Sequence, residues 1–156
     1  MVSHLFTLLI ITAIAGSISS AAEFNPINFK NCNSKYEIVG VESNCKIEDG
    51  KCVLSSGEEP LLKIVFKPTA AADGLKVAVK AKLDTSFVEF HLENEDACVT
   101  GNLKCPLTVG DTQTYIQGVP IRPEYPNVDV QVNWQLFDTK TNEKAVCVVF
   151  LGSVRN

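Results

Sequence analysis

Histidine is almost missing from this chain, which has 2 in 156 residues, and one of these, His4, lies in an apolar leader. The remaining His91 stands between Glu89 and Glu93 on a polar face, so neither a Ser-His-Asp triad nor a multi-histidine metal site can be assembled. No GxSxG, HExxH, GxGxxG or phosphate-loop pattern occurs either. Carboxylates are plentiful, as in Glu58-Glu59 and Glu93, Glu95 and Asp96, but they fall in polar turns where a solvated surface is the simpler reading. An enzyme is not expected, and no cofactor is called for. No Asn is followed two places later by Ser or Thr, so N-glycosylation is absent.

Positive charge is also short. With 14 Lys and Arg against 18 Asp and Glu the formal net charge is -4, which argues against nucleic acid as a partner. The local exception is Lys76, Lys80 and Lys82 on one face of LKVAVKAKLD, best read as the solvated face of a strand and otherwise as a docking patch for a membrane or partner protein. Long apolar runs are confined to Leu5 to Ala15, too short to span a bilayer and followed by small residues that suit a signal peptidase. Residues 1–22 therefore read as a secretory signal and residues 23–156 as a single secreted domain.

Cysteine is well supplied. An even set of 6 in a small secreted chain reads as three bridges rather than a zinc site, because paired CxxC knuckles are lacking. Cys45 and Cys52 flank a turn at Asp49-Gly50, and Cys98 and Cys105 flank one at Gly101-Asn102, so each pair reads as a local clip. Cys32 is left to find Cys147, closing the chain almost end to end.

Strand signals recur at 36–41, 61–67, 75–83, 86–92, 112–121, 127–137 and 144–154, with turn residues between them and no helical period. This pattern predicts an all-β sandwich or barrel of about seven strands. The alternation places Val77, Val79, Ala81 and Leu83 on one inward row, Val88, Phe90 and Leu92 on another, Leu62, Ile64 and Phe66 on a third, and Val146, Val148 and Phe150 on a fourth. These rows are rich in Val, Ala and Leu and poor in large rings; aromatics make up 8% of the chain, with 1 Trp. Two sheets about 10 Å apart need that volume filled, or they hold something else. In NVDVQVNWQLF the inward residues are Val128, Val130, Val132, Trp134 and Leu136, and periodicity alone favours core packing for this face.

The segments FNPINFKNC, KCPL at 104–107, VPIRPEYPNVDVQVNWQLFD and AVCVVF together resemble the Niemann-Pick C type 2 proteins of the ML lipid-recognition family, which also contains the mite group 2 allergens. The resemblance covers 23–156 and agrees with the bridges 32–147, 45–52 and 98–105. It implies an immunoglobulin-like two-sheet sandwich with a lipid cavity between its sheets. Residue by residue, Phe90, Ile121 and Tyr125, with Pro126 following, match the family's tunnel entrance, and Trp134 and Val148 match two deeper tryptophans. The face bearing Val130, Val132 and Trp134 then looks at a guest, with Val79, Val88, Leu92 and Phe150 around it. Val148 in place of a large ring, Phe87, Glu89, His91 and Glu93 where the sterol carriers have prolines, and the lack of glycans for lysosomal sorting point away from cholesterol. The expected function is a monomeric extracellular carrier of a fatty acid, sterol or similar small lipid, the fatty acid being preferred, that hands its cargo to a membrane or receptor protein. A dry-cored adhesion-type sandwich and a lipid-sensing co-receptor remain the alternatives.

Overall fold

The structure is a computed structural model that describes residues 21–156; most of the expected signal, residues 1–20, lies outside the described residues. The chain runs through β1 (Asn25–Pro26), β2 (Lys30–Asn31), β3 (Glu37–Ser43), β4 (Ile47–Glu48), β5 (Lys51–Ser55), β6 (Leu61–Lys67), β7 (Leu75–Leu83), β8 (Ser86–Glu89), the short helical turn α1 (Ala97–Thr100), β9 (Gln113–Gly118), β10 (Val128–Asp138) and β11 (Lys144–Arg155). One sheet has the order β1-β3-β6-β9, and the other has the order β4-β5-β11-β10-β7-β8 with β2 also paired to β11. The two form an immunoglobulin-like β-sandwich.

The period-two alternation expected of these segments is obeyed closely. Along β6 the even-numbered Leu62, Ile64 and Phe66 are buried, and along β7 Val77, Val79 and Ala81 are buried. The row Ala81, Val132 and Phe150 runs straight across β7, β10 and β11, and the next row is Val79, Trp134 and Val148. Each fully buried aliphatic side chain of this kind stabilises the fold by about 1.5–3 kcal/mol. The β10-β11 hairpin is closed by Asp138, whose carboxylate accepts from the backbone N–H groups of Lys140 and Thr141 at 2.8 and 2.9 Å. Asn142 takes the left-handed conformation that such a turn needs, at φ 56°.

All three bridges form as expected: Cys32–Cys147 across 115 residues, and Cys45–Cys52 and Cys98–Cys105 across 7 residues each. Apart from the two-residue strands β1, β2 and β4 and the turn α1, none of which carries a period of its own, the sandwich departs from expectation in two places. First, β5 is an additional strand, paired in parallel with β11 through Cys52 opposite Gly152. Gly152 permits this approach, since a Cβ there would lie 2.8 Å from Leu54 Cδ1. Second, the strand expected over 86–92 ends at Glu89. Phe90 still donates to Val79 at 2.9 Å, but the chain then leaves the ladder and rejoins it at Glu95, which accepts from Val77 at 2.8 Å.

Candidate functional site

The inward faces of the two sheets meet around a small apolar cavity of about 30 Å³, room for roughly one water molecule. Val79 of β7, Val132 and Trp134 of β10, Phe150 of β11, Phe90 and Ile121 all line it. These are six of the expected site residues, brought together from well-separated segments of the chain. The facing wall includes Leu62 of β6, whose inward direction the alternation predicts, and Val119 just after β9; Leu54 of β5, in the same sheet as β11, also lines the cavity and is not among the expected site residues. The interior space is far narrower than the resemblance implies, because the rings of Phe90, Trp134 and Phe150 and the branched side chains of Ile121 and Val132 occupy it.

A second apolar hollow of about 120 Å³ opens on the other side of Phe90. Val88, Tyr125, Pro126 and Val130 line it together with Phe90. Ala81, Leu83, Val128 and Val154 also line it, with Glu89 the one charged residue among its walls. Phe90 is the one residue that lines both the inner cavity and the outer groove. Its ring meets Tyr125 edge-on, with centroids 5.6 Å apart and planes at 77°. Both rings are half-buried. Val88 shares the inward side of Ala81, its register partner, yet is 51% exposed on the edge strand.

Two expected site residues lie elsewhere. Val148 is directly beside Trp134 in register but is fully buried in closed core and lines neither hollow. The expected enlargement of the pocket at Val148 is therefore not seen, since no open space borders it. Leu92 is buried, but it faces a different depression of about 640 Å³, shared with His91, Glu59, Glu93 and Arg122. That depression and one of about 390 Å³ beside Phe29 and Leu151 are larger than the Phe90 hollows, but both are mixed in polarity. The Phe90 hollows are the better candidate for an apolar guest because their walls are almost wholly hydrocarbon.

At the inner end of the cavity Trp134 Nε1–H donates to Tyr115 Oη at 3.1 Å, and Tyr115 Oη donates to Gln117 Oε1 at 2.7 Å. Burial holds the Tyr115 phenol well above its ordinary pKa, with a partial offset from the Trp134 hydrogen bond. At the mouth, Glu89 has its pKa lowered, chiefly by the hydrogen bond from Lys80, which lies 2.9 Å away. Lys76 pairs with Glu95 at 2.9 Å, so two of the three lysines on that face are engaged in ion pairs. Among the described residues no group of three His, Cys, Asp or Glu could hold a metal, and no helix is long and apolar enough to cross a membrane.

Comparison with known proteins places this arrangement in a wider set. A sequence model of the ML domain matches residues 26–153. The putative protein heh-1 of Caenorhabditis elegans is 38% identical over 143 residues, covering 87% of this chain and 92% of that protein. The NPC intracellular cholesterol transporter 2 homolog a of Drosophila melanogaster is 31% identical, covering 78% and 83% of the two chains. The NPC intracellular cholesterol transporter 2 of Bos taurus is 26% identical, covering 84% and 87%. Among solved structures, a Niemann-Pick type C2 protein from the Japanese carpenter ant superposes with a TM-score of 0.75 at 20% identity, covering 83% of this chain and 100% of that one, a likeness of fold.

Proposed function

This chain belongs to the ML-domain family, and on that premise we propose that it is a secreted carrier of a fatty acid or similar small lipid, with residues 1–22 as its export signal and 23–156 as its lipid-binding domain. The observation that supports this reading best is that Phe90 lines both an apolar cavity and an apolar groove. On this reading, rotation of that one ring would join the two into a path from solvent to Trp134. A guest would enter past Phe90 and Tyr125, spread Val132, Ile121 and Phe150, and leave by the same route without covalent chemistry. Tyr125 can hydrogen-bond a head group at the mouth while its ring shields the chain below.

Burying about fourteen methylenes would release on the order of 11 kcal/mol of gross transfer energy. Expanding the cavity and ordering the chain consume part of this, so dissociation constants from micromolar to tens of nanomolar are expected. Selectivity among chain types is expected to be loose, because burial discriminates shape weakly. The bovine and fly relatives are named as cholesterol transporters, which supports lipid carriage as the class and leaves the sterol itself a secondary choice here.

The narrowness of the inner cavity favours one second reading, a dry-cored module that recognises another protein through its outer faces. Native mass spectrometry of the secreted protein separates the two. A carrier retains lipid through mild purification, or takes up one equivalent of added fatty acid; a dry module shows the bare mass in both conditions.

A further inference from the structure

On the neighbouring strands β7 and β10 the open space of the cavity ends on one cross-strand row, and on β11 it ends one row short of that, at Phe150. On β7 it stops at Val79, and Val77 and Leu75 beyond are fully buried; on β10 it stops at Trp134, and Leu136 beyond is fully buried. On β6 it stops at Leu62, with Ile64 and Phe66 closed behind it. Trp134 stands in this boundary, and it is held differently from the aliphatic walls.

Its indole N–H crosses from one sheet to the other to reach Tyr115 Oη at 3.1 Å. The Tyr115 hydroxyl in turn donates to Gln117 Oε1 at 2.7 Å, and Thr100 Oγ1 lies 3.0 Å from the same oxygen and 2.9 Å from the Asp96 carbonyl. The Tyr115 ring is edge-on to Trp134, with centroids 6.2 Å apart and planes at 68°. Behind the ring is Gly101, where a Cβ would lie 2.4 Å from two of its carbons. Gly101 caps α1, whose Cys98 is bridged to Cys105. A buried indole N–H left without an acceptor is strongly disfavoured, so the pose of Trp134 is tied to that of Tyr115. The purely apolar side chains around the cavity carry no such directional tie and can shift to admit a guest.

Resting on the carrier reading above, we propose that the Trp134–Tyr115–Gln117–Thr100 chain is the fixed floor of the pocket and sets the length of acyl chain it accepts. The pocket widens at Phe90 and Tyr125 but does not deepen past Trp134. Tyr115 and Gln117 are positioning residues, acting on the guest through the indole. The clip between Cys98 and Cys105 acquires a role in selectivity, since it secures the turn against which Tyr115 is wedged.

Calorimetric titration with saturated fatty acids of about 8 to about 20 carbons tests this, because affinity grows by about fourfold per methylene while each added methylene is buried, then levels off at the floor. In Tyr115→Phe, which removes one oxygen and retains the ring, the levelling point is expected to move to chains at least about two methylenes longer, with about fifteenfold tighter binding of the longest acids than in the parent. A merely structural role would weaken all lengths alike and leave the levelling point where it was, and that result overturns the proposal. Trp134→Leu, which removes the floor itself, reads the same point if Tyr115→Phe fails to fold, and an unmoved point there is equally fatal. Failure of the parent to bind any length overturns the carrier reading as well, whereas binding with an unmoved levelling point overturns the floor alone.

Discussion

If Phe90 is the partition between groove and cavity, replacing it with alanine has a calculable effect on the rate at which a lipid enters. To open the path, the ring must abandon its edge-on contact with Tyr125 at 5.6 Å and swing out of the space between the two hollows. Aromatic pairs in this geometry contribute about 0.5–1.5 kcal/mol beyond their buried area. Removing that contribution from the opening barrier accelerates entry by about twofold to about tenfold. The substitution also weakens the fold: a fully buried Phe→Ala change costs about 3–5 kcal/mol, and a half-buried ring roughly half of that, which a domain stable by about 5–15 kcal/mol tolerates. The assay is stopped-flow fluorescence, for which the chain is well suited because its sole tryptophan, Trp134, lines the cavity. Phe87→Ala serves as the control, since Phe87 is 55% exposed and lines neither hollow. The association rate of a fatty acid rises in Phe90→Ala and stays at the parental value in Phe87→Ala. An unchanged or slower rate in a folded Phe90→Ala protein would refute the gating argument.

Further outcomes follow from the same geometry. Val132→Trp places an indole in a cavity of about 30 Å³; fatty-acid affinity falls by about tenfold or more, while overpacking costs about 1–3 kcal/mol of stability in urea unfolding. Replacing Cys32 and Cys147 together, which opens a loop spanning 115 residues, lowers the unfolding free energy by about 5 kcal/mol on the loop-entropy model, against about half as much for the Cys45–Cys52 clip. Asp129 accepts hydrogen bonds from Lys51 at 2.6 Å, from Ser153 at 2.6 Å and from Arg155 at 3.1 Å, which hold its carboxyl well below the usual carboxylate range. Its folded-state pKa is below its unfolded value, so its stabilising contribution is complete above about pH 4 and drains away as pH falls further. Asp129→Asn accordingly shows a shallower acid-side loss of stability than the parent in urea unfolding titrations.

The strands and bridges are legible in the sequence because their signals are local. Alternation in LLKIVFK and VDVQVNWQLF states which residues turn inward, and the Asp49-Gly50 and Gly101-Asn102 turns state which cysteines are neighbours. β5 escapes such a reading because KCVLS is short and lies inside a cysteine clip, and its parallel pairing with β11 depends on the distant Gly152. For the site, register along β10 is sufficient to bring Val130, Val132 and Trp134 together, and the resemblance adds Phe90, Ile121, Tyr125 and Pro126. Leu92 falls outside the hollows because period two does not extend beyond Glu89, where the chain leaves the ladder. Val148 falls outside them for a different reason: a face can be wholly inward and still lie below the level at which space remains. The Tyr115–Gln117 chain gives no sequence signal at all, since two alternate residues of β9 acquire their role only when the opposite sheet presents an indole N–H.

The most direct measurement is quenching of Trp134 emission by a fatty acid brominated near its methyl end, because bromine quenches only on contact. With the acyl chain lying between the sheets, quenching is strong and saturates at one equivalent. Binding of the brominated acid without loss of Trp134 emission would place the lipid outside the sandwich and contradict the account.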